Sequence, residues 1–239
     1  MANTLPAALW MILHILLDTD LTSRIESELS LAFQPASAVP DISALADALL
    51  LNSVYHETLR LHVAGSVGRI SLNPGFQLAG RWSITPGVPI MSANWFGGSS
   101  DSYWNDRGGY EVGTPSQPAD TFWAERFLGQ PNESETKPIL EEASSGLVGE
   151  TSARIRRKAK LMRSGLDGHW FPFGGGASRC PGEELARQTI LSSVALVIGL
   201  LRIDILEPGQ AAKARSRLRT LPFGSHAFDR QVSVRVRKK

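Results

Sequence analysis

The stretch Trp170-Phe-Pro-Phe-Gly-Gly-Gly-Ala-Ser-Arg-Cys-Pro-Gly-Glu-Glu-Leu-Ala186 constrains this chain more than any other part of its sequence. Three consecutive glycines let the backbone approach a flat object closely. The one cysteine of the chain, Cys180, falls just before a strongly apolar segment, from about Glu183 to Leu201, that reads as a long helix. A helix N-terminus favours negative charge on a side chain beside it. Pro181 is tolerated in a first turn without loss of a needed N–H, and Arg179 adds positive charge next to the sulfur. A lone thiol excludes an internal disulfide, and with it a structural zinc site built from several cysteines.

Three other readings of this loop stay open on the residues alone. A phosphate-binding loop wants Gly-x-Gly-x-x-Gly after a strand, or a Gly-Lys-Ser/Thr ending, and neither is present. A cysteine nucleophile needs a histidine base, for which His169 and His226 are candidates. A buried structural cysteine is the ordinary state of any single Cys, but it leaves the glycine-rich, arginine-flanked loop unexplained.

The remainder of the chain is mainly helical with a minor, scattered β component. Residues 4–17 place Leu5, Leu9, Ile12, Leu13, Leu16 and Leu17 at helical spacing, with Asn3 or Thr4 as the cap and Pro6 in the first turn. Asp20–Phe33 forms a second, more polar helix. Asp41 and Ser43 cap a long helix that runs to about His62. Short strands are expected at Gly68–Ile70, Phe76–Leu78 and Val88–Met91, and an edge strand at Val232–Arg237. Residues 92–150, rich in Gly, Ser, Pro, Asn and Asp, form a long irregular stretch, unusual inside a domain unless it has a task.

With 42% hydrophobic and 20% charged residues, the composition is that of an ordinary globular domain. A formal charge of +2 gives no reason to expect nucleic acid as a partner. No basic leader is readable at the N-terminus, and the apolar runs Leu5–Leu17 and Ile190–Leu201 fall short of the roughly 20 residues a spanning helix needs. Both are expected to be buried helices, and the chain itself to be soluble or cytoplasmic.

The pattern Phe173-x-x-Gly176-x-x-x-Cys180-x-Gly182 resembles the haem-binding loop of the cytochrome P450 superfamily. That resemblance implies that Cys180 ligates the iron of haem b (iron protoporphyrin IX). It also implies that Phe173, Gly176, Ser178 and Arg179 belong to the haem-binding loop. The family's arginine two residues before the cysteine is replaced here by Ser178, with an arginine displaced to Arg179. Upstream, Glu57-Thr-Leu-Arg60 resembles the family's Glu-x-x-Arg motif, whose spacing puts both side chains on one helix face. Phe122-Trp-Ala-Glu-Arg126-Phe resembles the segment whose arginine completes a buried Glu-Arg-Arg network, with Ala124 in place of proline. Arg69 stands where bile-acid hydroxylase-like members carry a propionate-binding arginine.

The first helix resembles the oxygen-side helix of the sterol 7α-hydroxylase and prostacyclin synthase-like branch. There Asn3, or Thr4 one residue on, takes the position of the residue that handles protons beside bound dioxygen. The resemblance therefore casts residues 1–239 as the C-terminal, haem-binding portion of the fold. It implies a monooxygenase that inserts one oxygen atom from dioxygen into a lipid, sterol-like or secondary-metabolite substrate. The alternatives are a haem-thiolate isomerase of peroxides and a truncated, non-catalytic fragment. The implied partners are a small-molecule substrate and an NADPH-cytochrome P450 reductase, toward whose acidic surface the basic run Arg154 to Arg163 would face. A full-length relative is expected at the endoplasmic reticulum membrane.

Overall fold

A computed structural model describes residues 4–33, 39–104, 117–129, 160–161, 166, 169–217 and 224–239. Helix α1 (Thr4–Leu17) covers the expected span and buries Ala7, Ala8, Trp10, Met11, Leu13 and Ile15; of the leucines picked out by spacing, Leu5 and Leu9 are exposed. Helix α2 (Thr19–Leu29) starts at the Asp18 cap, whose carboxylate accepts from the Leu21 N–H at 3.0 Å. It ends at Leu29, before the expected Phe33.

The long helix expected from Asp41 to His62 is two helices, α3 (Ile42–Asp47) and α4 (Leu49–His62). Asp41 caps the first as expected, its side chain accepting from Ser43 N. Ala48 then leaves helical space at φ −70° and ψ 95°. A broken helix exposes orphan carbonyls and N–H groups that need partners. Asn52 Nδ2 donates to Leu45 O at 2.9 Å and Ala48 O at 2.7 Å. Glu28, from α2, accepts from Leu50 N at 3.0 Å and Leu51 N at 2.8 Å. These partners come from other turns and another helix, so spacing along the chain did not reveal the break.

After α4 the chain forms β1 (Val63–Ala64), β2 (Ser66–Ile70), β3 (Gln77–Leu78), β4 (Trp82–Ser83) and β5 (Pro89–Ala93). Two short helices follow, α5 (Asn94–Gly98) and α6 (Asp101–Trp104), inside the stretch expected to be irregular. Then come β6 (Leu128–Gly129), β7 (Lys160–Leu161), α7 (Glu183–Leu200), β8 (Leu201–Ile205), α8 (Pro208–Ala211), β9 (Gly224–Ser225) and β10 (Val234–Lys238). All pairing among the described residues is antiparallel and two-stranded: β1 with β9, β2 with β5, β3 with β4, β6 with β7, and β8 with β10. β10 matches the expected C-terminal strand. Its partner β8 starts where the sequence pattern had ended a helix.

The main core lies where α1, α2, α4 and α7 meet. Met11, Ile15, Ile25, Leu51, Val54, Val194 and Ala195 are all sealed from solvent there. Each buried Leu, Ile, Val or Met side chain contributes about 1.5–3 kcal/mol relative to exposure. α4 runs through the middle and buries nearly every residue, polar ones included. That placement is why Glu57 and Arg60 have no access to water.

Candidate haem-thiolate site

Residues 171–182 form a loop folded on itself and delivered to the start of α7. Gly174 N donates to Phe171 O at 2.9 Å, Cys180 N to Phe173 O at 2.8 Å, and Arg179 N to Gly176 O at 3.1 Å. Gly174 and Gly176 sit at φ 76° and 61°, a left-handed conformation that residues with a side chain rarely adopt. Ser178 ends a short 3-10 turn, Gly176–Ser178. Cys180 emerges exposed.

The thiol lines a cleft of about 600 Å³ whose walls include Leu59, Val63, Val67, Leu185 and Ile190. Thr4, at the start of α1, reaches the same cleft, as do Phe173 and Arg69. Arg69 Nη2 donates to Gly175 O at 2.7 Å and Nη1 to Gly68 O at 2.8 Å. It makes no ion pair among the described residues, so its charge faces the cleft uncompensated. A Cβ added at Gly182 would stand 3.7 Å from Cys180 Sγ, and one at Gly176 would stand 3.4 Å from Arg69 Nη2.

Arg179 pairs with a carboxylate that the sequence reading had not named as its partner. It binds Glu183 through Nε at 2.6 Å and Nη2 at 2.8 Å, an exposed pair between the loop and the first residue of α7. With Gly176 it lines a neighbouring cleft of about 630 Å³ that shares Val67, Pro172, Phe173 and Gly174 with the cysteine's. The Glu183 carboxylate holds the guanidinium, and Arg69 is the arginine that lines the cleft with the thiol. Neither His169 nor His226 lines the cysteine's cleft, and no other histidine does among the described residues. The nucleophile reading therefore has no base beside Cys180. Asn3 lies outside the described residues, as do the Ser178 side chain and the basic run from Arg154 to Arg163 apart from 160–161.

Glu57, Arg60 and Arg126 meet in the interior. Arg60 grips the Glu57 carboxylate with Nε at 2.7 Å and Nη2 at 2.8 Å, and Arg126 Nε reaches it at 3.0 Å. Trp123 N adds a fourth donor at 3.0 Å. The spare guanidinium hydrogens go to backbone carbonyls. Arg60 Nη1 donates to Gly98 O and Ala119 O, and Arg126 donates to Trp104, Gln117, Pro118 and Thr121. Burial holds the Arg126 pKa below its ordinary value, with Glu57 pulling the other way. One carboxylate and two guanidiniums thus pin the segment 117–129 and α5 onto α4.

Two groups were not singled out in the sequence. The first is a buried histidine cluster behind β1 and β9. His14 Nε2 and His62 Nε2 are 2.8 Å apart, and His62 Nδ1 meets Ser216 Oγ at 2.9 Å. Trp10 stacks on His62 with centroids 3.7 Å apart, and Phe122 stacks on His14 at 3.9 Å. Burial pushes the His14 pKa down to about 3. It drives His62 well down too, helped by His14, Arg60 and His226, and it lowers His226. The second is Asn94, a buried amide between β1 and the cysteine loop. The signals available were faint: a polar His14 inside an apolar helix, and an Asn after a strand.

No family model matches the chain. Curated proteins do. The cytochrome P450 monooxygenase fsoE of Humicola fuscoatra is 31% identical over 212 residues, covering 86% of this chain and 35% of that protein. The cytochrome P450 monooxygenase efuG of Hormonema carpetanum is 30% identical over 217 residues, covering 86% and 36%. The cytochrome P450 monooxygenase calL of Penicillium decumbens is 31% identical over 210 residues, covering 86% and 33%. The chain spans about a third of the length of these relatives. Sharing 30–31% identity with each of three cytochrome P450 monooxygenases over most of its own length, this chain is a relative of the cytochrome P450 superfamily.

Proposed function

We propose that this chain is the haem-thiolate part of a monooxygenase, with Cys180 as the protein ligand to the iron of haem b. The observation that carries the reading is one exposed thiol at the start of α7, on the wall of a largely apolar cleft that also receives Arg69. No group of three or more His, Cys, Asp or Glu able to hold a metal ion exists among the described residues. Iron in a porphyrin carries ring nitrogens as its other ligands, so a single thiolate suffices as the protein's contribution. The apolar walls suit the faces of a porphyrin, and the uncompensated Arg69 suits its carboxylates.

When bound, haem supplies the activation of dioxygen and the insertion of one of its oxygen atoms into an organic substrate. The residues of this chain do the holding. The Cys180 N–H bond to Phe173 O fixes where the sulfur stands, and Gly182 keeps its surroundings clear. Arg69, tied to Gly175 O, joins the cleft rim to the cysteine loop. Thr4, which lines the cleft at the start of α1, is assigned the holding or passing of a proton, beside the position assigned to Asn3. Turnover belongs to the whole protein. Its substrate is assigned to the lipid, sterol-like or secondary-metabolite class, its electron donor is an NADPH-cytochrome P450 reductase met by Arg154 to Arg163, and its site is the endoplasmic reticulum membrane.

The test is an absorption spectrum of the purified chain loaded with haem, reduced and exposed to carbon monoxide. Thiolate ligation gives a red-shifted Soret band that Cys180→Ala abolishes. Haem that binds with the same spectrum in both chains refutes the assignment of Cys180.

A further inference from the structure

Helix α5 touches two regions that lie far apart in the chain. At its C-terminal end, Gly98 O accepts from Arg60 Nη1, part of the buried charge network. At its first residue, Asn94 is fully buried, with 0% of its surface exposed. The Asn94 backbone N–H donates to Gly65 O at 2.7 Å. Its side-chain Nδ2 donates to Val63 O at 3.3 Å, and its Oδ1 accepts from Phe171 N at 2.6 Å. A backbone N–H needs an acceptor and a carbonyl needs a donor, so these partners fix the orientation of the amide.

One side chain therefore spans from β1, a wall of the cleft, to the residue that opens the cysteine loop. From Phe171 the constraint passes to Gly174 through Phe171 O, and Phe173 O then holds the Cys180 N–H. The surrounding backbone is packed for the same join. A Cβ at Gly65 would lie 3.4 Å from Pro172 O, and one at Gly97 would fall 2.4 Å from His169 O. The approach at Gly97 tolerates no side chain without a shift of the backbone opposite, and that at Gly65 is already at van der Waals contact.

We propose that Asn94 is the positioning residue of the site: by bridging Val63 and Phe171 it sets the cysteine loop against β1, and with it the place of Cys180 in the cleft. Asn94 acts through Phe171 and touches no reacting atom. The proposal deepens the haem-thiolate reading and rests on it for its consequence in catalysis. The positioning itself is measurable without haem.

The experiment compares the full chain with Asn94→Leu, which has neither donor nor acceptor, and Asn94→Asp, which keeps the acceptor and loses the donor. Amide hydrogen exchange is followed at Phe171 to Cys180 in the haem-free chain, with α1 and α7 as internal controls. Asn94→Leu is expected to speed loop exchange by about five- to thirtyfold, the worth of a lost buried hydrogen bond, and to leave α7 unchanged. Asn94→Asp is expected to regain loop protection as the pH is lowered, because a neutral carboxyl again offers one acceptor and one donor. An unchanged loop in Asn94→Leu, or exchange that rises equally in α1 and α7, overturns the proposal. Should Asn94→Leu not fold, the aspartate variant decides: loop protection, relative to the parent, that ignores pH overturns it as well. Haem loading separates the two readings. A parent chain that binds no haem, yet whose loop responds to Asn94→Leu, retains the positioning role and removes the haem assignment.

Discussion

Two arginine–glutamate pairs, three and four residues apart in sequence, stand out in this molecule, one within α4 and one between the cysteine loop and α7, and they are almost the same object chemically. Arg60 Nε lies 2.7 Å from Glu57, and Arg179 Nε lies 2.6 Å from Glu183. The first pair is wholly sealed, with 0% side-chain exposure on both partners, while the second shows 61% and 26%. In water the mutual attraction of a pair is modest and long side chains lose entropy to make it. In the interior the attraction is large, but so is the loss of hydration, and every remaining donor must be satisfied. That is why the buried pair recruits Arg126, Trp123 N and a ring of backbone carbonyls, and the exposed pair recruits little. The difference is one of environment, and it determines which pair organises the fold.

The comparison breaks most visibly at Glu57. Glu57→Leu leaves Arg60 and Arg126 buried with no carboxylate and should destabilise the chain by about 3–5 kcal/mol, a large share of an ordinary domain's stability. The urea midpoint measures it. A loss below about 1 kcal/mol would mean that water reaches both guanidiniums and that the network is not the anchor described. Adding Arg126→Met should then cost much less than it does alone, because the two residues share one network. A double-mutant cycle should return a coupling of about 0.5–3 kcal/mol.

The same contrast explains what the sequence could and could not disclose. Spacing alone put Glu57 and Arg60 on one helix face, and the resemblance added Arg126, because these features are local or carried by a motif. The cysteine loop and the extent of α7 were equally visible, since glycine runs and a long apolar segment speak for themselves. The break at Ala48 was not, because its caps, Glu28 and Asn52, are brought in by packing. The pairing of Arg179 with Glu183 was not read from the sequence, since which partner a loop arginine takes is decided by three-dimensional geometry. Asn94 and the His14–His62 pair were invisible for the same reason: their partners lie 77 and 48 residues away in sequence.

A middle case is the histidine cluster, whose charge is suppressed where that of the buried arginines is retained. His14 is pushed down to about 3 and His62 is also well below its ordinary value. An unfolded histidine titrates near about 6.5, so as pH falls through that value the unfolded chain takes up protons that the folded chain refuses. Stability is therefore fully present above about pH 6.5 and is lost on acidification, at about 1.4 kcal/mol per pH unit for each such histidine, down toward the folded pKa. His14→Gln should flatten that slope in thermal unfolding between roughly pH 6 and pH 4. An equal slope in parent and variant would show that carboxylates elsewhere govern the acid response.

The smallest effect belongs to the exposed pair, and it sharpens the contrast because the geometry predicts so little. Arg179→Ala removes a bidentate contact as short as the buried one, yet it should change stability by no more than about 1 kcal/mol, and by less as salt is raised. Glu183 sits in the first turn of α7, where a carboxylate is favoured by the helix dipole even without its partner. That retained interaction limits the loss further. Urea denaturation at low and high ionic strength reads the difference directly. A salt-insensitive loss approaching that of Glu57→Leu would place Arg179 in a dry site, and would return it to the role beside the cysteine that its position in the sequence first suggested.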